Sequence, residues 1–376
     1  MKYIRVQKID GQKFLNFIHN HSNRNKKIID PNYEIEHEDN FVLFPIIADN
    51  LKPVLSKLTE MHYEIVERNE RLKLNPVKRS IRNYLENDLP RKILDVIPKS
   101  YDIIGDILIV EFDRLNKLED PDVFLYKIKI SDALLKINKS VKSVYEKKSE
   151  ILGDFRLREL KLIVGFDNSE TLYKENKTIY KLDVKKVFFS PRLGQERKRI
   201  SENHFNFNEM IVDMFAGVGS FSIQIAKKNR VKIYAFDVNP VAFRYMEENV
   251  EINNVEDKIE VYNLDVKELL IPGNQVGKMI HNQIDRIIMN LPEMSFNFLD
   301  VTCFLMKNSG GILHFYSIAE KENAFEITSN RLKEKLAGYS FKIDKILSKR
   351  IVKAYSPKKD LIVLDCVIKA ENENLS

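Results

Sequence analysis

The stretch "IVDMFAGVGSFSIQIAKK", residues 211–228, decides the fold of this chain. An apolar run ends at Asp213, the chain turns through Gly217 and Gly219, and a helical pattern follows. Glycines in such a turn let the backbone approach a ligand at the carboxyl end of a strand, where open α/β sheets bind their ligands. The Gly-x-Gly pair alone is a weak signal. It fails as a dinucleotide-binding fingerprint because Ser222 stands at the third glycine position.

Two further predicted strands end on an acidic residue. Asp237 closes "VKIYAFD", about 20 residues beyond Gly217, where an acid that binds ribose hydroxyls is expected. Asp265 ends "VYNLD". One such Asp is often only a helix N-cap. Acids at three successive strand ends, with a glycine-rich first turn, are a much stronger signal of a cofactor site.

Strands and helices alternate regularly from residue 201 onward. The strands are predicted at "MIVDMFAG", "VKIYAFDV", "KIEVYNLDV", "DRIIMNLP", "GGILHFYSI", "FKIDKILSKRIVKAY" and "LIVLDCVIK". This alternation favours an α/β fold with a parallel, doubly wound sheet, in which the last two strands form an antiparallel pair at the far edge.

The rest of the chain is predicted to form smaller units. Residues 1–67 show a β-α-β-β-α-β order that suits a ferredoxin-like α+β module. Residues 68–80 are charged, contain Pro76 and are predicted to be a linker. Residues 81–200 mix helices such as "SDALLKINKSVKSVYEKK" with the strands "YDIIGDILIVEF" and "LKLIVGF". The predicted domains are therefore 1–67, 81–200 and 201–376, with the linker 68–80 between the first two.

Composition bounds the class of protein. A chain of 376 residues, 44% hydrophobic and 31% charged, is typical of a soluble globular protein with two or three domains. No apolar run is long enough to span a bilayer and the N-terminus lacks a signal-peptide core, so a cytoplasmic protein without membrane contact is expected. The two cysteines, Cys303 and Cys366, exclude a disulfide framework, and no metal site is expected. A monomer is expected.

Positive charge is concentrated in the middle of the chain. Residues 73–199 contain 28 Lys and Arg and 20 Asp and Glu, a net charge of 28 − 20 = +8, whereas the whole chain carries 61 − 55 = +6. Clustered Lys and Arg gain affinity for nucleic acid by displacing counterions from phosphates. A nucleic-acid partner is therefore expected, although a solvated charged surface would give the same count.

The combined pattern resembles the class I S-adenosylmethionine-dependent methyltransferases. The resemblance implies that the glycine turn lies against the methionine part of the cofactor, Asp237 holds the ribose and Asp265 holds the adenine amino group. Asn290 would face the reacting methyl. Relatives that methylate amines continue from this position with Pro-Pro-aromatic, but here Asn290 is followed by Leu291-Pro292-Glu293. Without the aromatic ring a ring nitrogen is the more natural target, and a protonated one needs a general base and a cation from outside the cofactor pocket.

Two basic segments offer such groups. Glu196 lies in "VFFSPRLGQERKRI", among Arg192, Arg197 and further basic residues, and "GDFRLREL" contains Arg156 and Arg158. Taken alone, Glu196 could merely pair with a neighbouring Arg.

Taken in order, the motifs "FRLREL", "FFSPRLGQER", "DMFAGVGSFSI", "DVNP", "MNLP" and "IVKAYSPKK" are similar to the archaeal and eukaryotic tRNA (guanine-N1-)-methyltransferases that modify guanosine 37. The resemblance implies that Glu196 takes the N1 proton, Arg156 stabilises O6 and Asn290 holds the edge of a flipped base. Pro292 would shape the loop, and Arg197 would orient Glu196 or contact a phosphate. The N-terminal module would dock on the tRNA elbow while the anticodon loop enters the active site.

The resemblance also implies two sets of contacts. The cofactor S-adenosylmethionine would contact Asp213, Phe215, Gly217, Gly219, Asp237, Val238, Asp265 and Asn290. The tRNA would contact Arg156, Arg158, Phe188, Ser190, Arg192 and Lys198.

Departures from the family pattern leave alternatives open. Phe188 stands where many members have Tyr, and Ser220 replaces a frequent Pro. Some archaeal members also methylate a carbon of the wyosine intermediate at the same nucleotide, and this second activity stays open. A non-catalytic tRNA-binding protein and a methyltransferase for proteins or small molecules are weaker alternatives. An RNA cytosine-C5 enzyme is disfavoured because neither cysteine is next to a proline.

Overall fold

The computed structural model of the protein describes residues 1–21, 27–58, 61–68, 81–149, 153 and 155–371. These residues belong to two compact units, Met1–Asp88 and Leu89–Ser376. The predicted linker, residues 68–80, lies outside the described residues except for Arg68. Over the described part of the chain, no helix is both long and apolar enough to cross a bilayer. The functional division into domains stays a prediction.

The first unit is a small α+β module. It contains β1 (Lys2–Gln7), α1 (Gly11–His21), β2 (Glu36–His37), β3 (Phe41–Pro45), α2 (Ala48–Leu51), β4 (Tyr63–Glu67) and α3 (Ile81–Leu85), with 3-10 helices at Lys8–Asp10 and Lys52–Lys57. The strands form one antiparallel sheet in the order β2-β3-β1-β4. This is the arrangement of a ferredoxin-like module, so that prediction is confirmed. Ile4 and Val6 of β1 pack with Phe14 and Ile18 of α1 in its core.

The second unit begins with a mixed α/β segment. Its elements are α4 (Arg91–Leu94), β5 (Tyr101–Ile104), β6 (Ile107–Val110), α5 (Asp113–Asn116), α6 (Val123–Ile137), β7 (Ser143–Lys147), β8 (Leu160–Gly165), β9 (Glu170–Glu175), β10 (Thr178–Asp183), a 3-10 helix Pro191–Leu193 and α7 (Gly194–Ser201). One sheet has the order β5-β6-β7-β8, and β9 and β10 form a hairpin.

The prediction of one helix across residues 131–148 is wrong. Helix α6 ends at Ile137, and residues 143–147 form β7. Val144 and Tyr145 are residue types that favour strands, and β7 pairs in parallel with β6, Leu108 opposite Val144. Pairing with a distant strand decides the structure there.

A seven-stranded sheet dominates the remainder. Its elements are β11 (Glu209–Asp213), α8 (Ser220–Lys228), β12 (Val231–Asp237), α9 (Pro240–Ile252), β13 (Ile259–Asn263), α10 (Gln275–Ile280), β14 (Arg286–Met289), α11 (Leu299–Leu305), β15 (Gly311–Glu320), α12 (Ala324–Ala337), β16 (Phe341–Ala354) and β17 (Lys359–Ala370), with 3-10 helices at Val266–Leu270 and Ser295–Phe298. The strand order is β13-β12-β11-β14-β15-β17-β16. The first five strands are parallel, and β17 is antiparallel to both β15 and β16. The predicted fold class is therefore confirmed.

Both faces of this sheet are buried. Neighbouring residues point to opposite faces of a strand, and Ile211 and Val212 accordingly belong to two different core clusters. The cluster on the Ile211 face also includes Ile109, Tyr180 and Leu193, so the segment before β11 shares a core with the sheet. This packing places the segment's loops beside the carboxyl ends of the parallel strands.

Candidate active site

The turn after β11 has a backbone that favours glycine. Gly217 and Gly219 have φ of 59° and 83°, in the left-handed region. A Cβ on Gly219 would lie 3.0 Å from Ile223 Cδ1 and 3.1 Å from Met246 Cγ. The Gly217 N–H donates to Asp237 Oδ2 at 2.7 Å. The turn and the acid of the second strand are thus directly joined.

A cavity of about 350 Å³ opens at this turn. Six of the eight residues predicted to bind the cofactor line it: Phe215, Gly217, Asp237, Val238, Asp265 and Asn290. Among these six residues, Asp237 and Asp265 contribute carboxylates, and Phe215 and Val238 contribute apolar surface.

Asp237 and Asp265 also stabilise the local backbone. Asp237 accepts from the backbone N–H of Gly217 and, at 2.9 Å, of Asn239, and burial raises the pKa of Asp237. Asp265 accepts from the Lys267 N–H at 2.9 Å and so caps the 3-10 helix Val266–Leu270. The N-cap role and a place in the cavity thus coexist in Asp265.

Asp213 lies behind the turn and not in the cavity. Its side chain is fully buried, the Ser222 hydroxyl donates to Oδ2 at 2.8 Å, and Oδ1 has no partner among the described residues. Burial, reinforced by the charge of Asp237, raises the pKa of Asp213 to about 7. Gly219 is also absent from the described cavity lining. Cofactor contact by Asp213 and Gly219 stays a prediction. Both shape the turn.

A second cavity, of about 670 Å³, adjoins the first. The two share the lining residues Arg156, Phe188, Phe189, Ser190, Leu193, Asn290 and Glu293. We call this set the shared wall. The second cavity also contains Arg158, Arg192 and Pro292, as well as Lys147 and Lys353. Burial and the nearby Arg192 lower the pKa of Lys353, a sign of crowded positive charge.

Arg156 reaches into the shared wall from a loop. Its backbone has a φ of 56°, which is unusual for a residue with a side chain. Its Nη1 donates to Glu293 Oε2 at 2.9 Å and its Nη2 to Oε1 at 3.2 Å. Tyr355 donates to the same Glu293 Oε1 at 2.9 Å, and the Arg156 guanidinium lies 5.2 Å from the Phe188 ring centre. Because Arg156 and Glu293 line both cavities, their ion pair lies where the two cavities meet.

Glu196 occupies a buried position on α7. Its carboxylate accepts from Arg199 Nε at 3.0 Å and from the Tyr316 hydroxyl at 2.8 Å. The described lining of neither cavity includes Glu196, although its neighbours Leu193 and Arg197 line the first one. Glu196 thus lies between two lining residues in sequence but outside the described lining.

Arg197 does not hold Glu196. Its guanidinium donates to the Glu175 carboxylate and, at 3.1 Å, to the Ser190 carbonyl. Residues three apart on a helix face each other and adjacent residues do not, which explains why Arg199 takes the role expected of Arg197. Lys198 is exposed and belongs to neither described lining.

Glu196 is one end of a buried chain of charged groups. Arg199 donates to Asp365 at 2.6 Å, and Asp365 contacts His314 at 2.7 Å. His314 contacts Arg286 at 3.0 Å, and Arg286 donates to Glu209 at 2.5 Å. Burial opposes the charge of Asp365, but His314 and Arg199 lower the pKa of Asp365 to about 2. Burial lowers the pKa of His314.

The buried chain was not predicted from the sequence. Its only signal there is an ionisable residue inside each of three apolar strands: Arg286, His314 and Asp365. Lys353 and Tyr355 lie in the quoted "IVKAYSPKK" motif but were assigned no role. No group of three or more potential metal ligands occurs in the ranges that the structure describes.

A sheet of this order, with a glycine turn and strand-end carboxylates around a cavity, defines a class I S-adenosylmethionine-dependent methyltransferase. Comparisons with known proteins identify the family within this class. The chain belongs to the TRM5/TYW2 methyltransferase family. Residues 171–344 match the TRM5/TYW2 methyltransferase domain, and residues 81–169 match the TYW2 N-terminal domain. The predicted family is confirmed.

Individual relatives cover most of the chain. The tRNA (guanine(37)-N(1))-methyltransferase Trm5b of Pyrococcus abyssi is 34% identical over 90% of this chain and 91% of its own length. The tRNA 4-demethylwyosine(37)-methyltransferase Taw21 of Saccharolobus solfataricus is 33% identical over 71% of this chain and 93% of its own. The solved complex of aTrm5 and tRNALeu has a TM-score of 0.64 and 30% identity, covering 98% of this chain and 99% of that one.

Proposed function

We propose that the protein transfers the methyl group of S-adenosylmethionine to N1 of guanosine 37 in tRNA. The observation that carries the proposal is the shared wall. One cavity has the carboxylates suited to a nucleoside cofactor, the other is lined by five Lys and Arg residues and three acidic residues, and Arg156 and Asn290 belong to both. The named activity of the Pyrococcus abyssi relative supports the same reaction.

The first cavity fits the cofactor chemically. Each Asp237 oxygen accepts one backbone N–H and, with two lone pairs per oxygen, can also accept a ribose hydroxyl. Asp265 has the same capacity toward the adenine amino group, and Phe215 and Val238 supply apolar contact. When bound, S-adenosylmethionine supplies an electrophilic methyl group on a sulfonium centre.

The second cavity receives the flipped guanine. Arg156 donates to O6, on which negative charge grows as N1 loses its proton. The Asn290 amide binds the base edge, Pro292 shapes the loop and Phe188 packs beside the Arg156 guanidinium. Arg158, Arg192 and Lys198 bind phosphates, and Ser190 lies between the two cavities.

Glu196 accepts the N1 proton in this proposal. Because its carboxylate contacts Arg199 and Tyr316 in the described structure, it must turn toward the shared wall when the base binds. Apo geometry by itself does not exclude a general base, since catalytic hydrogen bonds often form only in the substrate complex.

The remaining proposals concern the rest of the tRNA. The module 1–67 docks on the elbow, the linker 68–80 joins it to the basic segment 81–200, and residues 201–376 carry the chemistry on the anticodon loop. The enzyme acts as a monomer without a metal ion.

A second candidate activity is methylation of a carbon of the wyosine intermediate at the same nucleotide. It is favoured by the similarity to the Saccharolobus solfataricus relative and by Phe188, which places no hydroxyl in the shared wall. The acceptor would occupy the same second cavity.

Mass spectrometry of digested tRNA separates these activities. Transcripts with G37 or A37, and tRNA containing 4-demethylwyosine, are incubated with isotopically labelled S-adenosylmethionine. The proposal predicts labelled 1-methylguanosine from G37 and no label on A37. Label found only in the wyosine-type nucleoside would replace the first proposal by the second, and no label in any tRNA would refute both.

A further inference from the structure

Glu293, in the loop after β14, has no role in the mechanism above. Glu293 stands one residue after Pro292, within the shared wall. We propose that Glu293 is a positioning residue that holds Arg156 in the free enzyme and releases it to the incoming guanine. The base and Glu293 then compete for the same guanidinium. This inference rests on the function proposed above.

The geometry of the pair supports an exchange of partners. Two guanidinium nitrogens of Arg156 donate to the two Glu293 oxygens, at 2.9 and 3.2 Å. A guanidinium binds a planar pair of acceptors in this two-pronged way, which fixes its direction as well as its partner. The Arg156 donors that would meet the base are therefore occupied in the free enzyme.

Guanine presents O6 to Arg156, and this carbonyl oxygen has two lone pairs that accept hydrogen bonds. As N1 loses its proton, negative charge grows on O6, while the N1 lone pair stays free for the methyl group. In this proposal O6 competes with the Glu293 oxygens for the terminal N–H groups of Arg156.

The surroundings allow Glu293 to separate from Arg156 without losing its other hydrogen-bond partner. Tyr355 donates to Glu293 Oε1 at 2.9 Å, so the carboxylate retains a partner when Arg156 leaves. The Glu293 side chain is 38% exposed, whereas that of Arg156 is 15% exposed. Glu293 can therefore turn toward solvent while Arg156 stays beside Phe188.

Removing the competing charge should favour the base. We expect Glu293→Gln to tighten binding of a G37 transcript about three- to tenfold, because a charge-assisted bidentate pair no longer has to open. The effect should appear in the dissociation constant of the G37 transcript. Tyr355→Phe removes the partner that Glu293 keeps when Arg156 leaves, so it should weaken binding of the same transcript.

The experiment measures dissociation constants for two transcripts, one with G37 and one abasic at position 37. Glu293→Gln should tighten binding only of the G37 transcript. The matched control is Glu111→Gln, which removes the same charge from the second cavity but from a residue that pairs with Lys147. A general charge effect would tighten both transcripts equally in both variants. That result would overturn the proposal.

Two other results would also overturn it. Unchanged or weaker binding of the G37 transcript by Glu293→Gln would exclude competition. A large loss of kcat in Glu293→Gln would instead mean that Glu293 supports Arg156 during catalysis. The proposed function fails separately, when the wild-type enzyme binds the G37 transcript but forms no 1-methylguanosine.

Discussion

Asp213→Asn should change the way the stability of the protein depends on pH. The wild-type carboxyl is fully buried, and one of its oxygens has no partner among the described residues. Burial raises the pKa of Asp213 from the ordinary value of 3.8 to about 7. The Asn side chain keeps an oxygen for the Ser222 hydroxyl and cannot ionise.

The sign and size of the effect follow from proton linkage. Between pH 3.8 and about 7 the native state keeps a proton on Asp213 that the unfolded chain has lost, so stability falls as pH rises through this window. The two pKa values differ by roughly three pH units, which corresponds to about 4 kcal/mol in total. Of this, about 3 kcal/mol is lost between pH 5 and pH 8. Asp213→Asn should remove that loss.

Urea unfolding followed by circular dichroism at pH 5 and pH 8 measures the difference. The stability of Asp213→Asn relative to wild type should increase by about 3 kcal/mol between the two pH values. Asp132→Asn, at an exposed position on α6, serves as the matched control and should show no such change. If the stability of Asp213→Asn and of the wild type changed equally between the two pH values, the effect assigned to burial of Asp213 would be refuted.

Four further results are expected. Glu196→Gln should lower kcat on a G37 transcript about 10²- to 10⁴-fold with little change in tRNA binding. The control Glu202→Gln, at an exposed position just after α7, should keep the activity, and a wild-type rate in Glu196→Gln would exclude Glu196 as the general base. Gly219→Ala should weaken cofactor binding, measured by calorimetry, because its Cβ would meet side chains at 3.0 and 3.1 Å. In the control Gly273→Ala the Cβ meets nothing within 4 Å, and equal cofactor affinities of the two variants would contradict the prediction. Arg286→Met should cost about 3 to 5 kcal/mol in urea unfolding because it leaves buried charge unpaired, and a loss below about 1 kcal/mol would count against the network. Affinity for tRNA should fall at least about tenfold between 50 and 200 mM salt, and a flat response would remove the phosphate argument.

The sequence predicts the fold correctly where the local hydrophobic pattern agrees with the strand pairing. Most strands of the seven-stranded sheet appear as apolar runs ending near a turn or polar residue, and β16 mixes apolar with charged residues, so the strands and the antiparallel edge follow from the sequence. The pattern failed at residues 143–147, where the long-range partner β6 outweighs the helical pattern of the preceding residues.

The candidate site was readable only in part. Asn290 and Arg156 lie in the shared wall because strand ends and motif loops meet at one sheet edge. The partners of Glu196 were not readable, since Tyr316 lies 120 residues further along the chain. Spacing also could not show that Asp213 is buried behind its own turn, because the depth of a strand end depends on the elements packed over it.

The buried charged chain from Glu209 to Glu196 limits how this sequence can diverge. Its members lie on α7, β11, β14, β15 and β17. Glu209 compensates the charge of Arg286, Asp365 and Glu196 compensate that of Arg199, and His314 links the two groups by hydrogen bonds. Replacing one member leaves its neighbours uncompensated, whereas replacing the whole set by well-packed apolar residues can be neutral. Homologous sequences should therefore keep the complete set or lack all of it, and alignments should show these positions changing together.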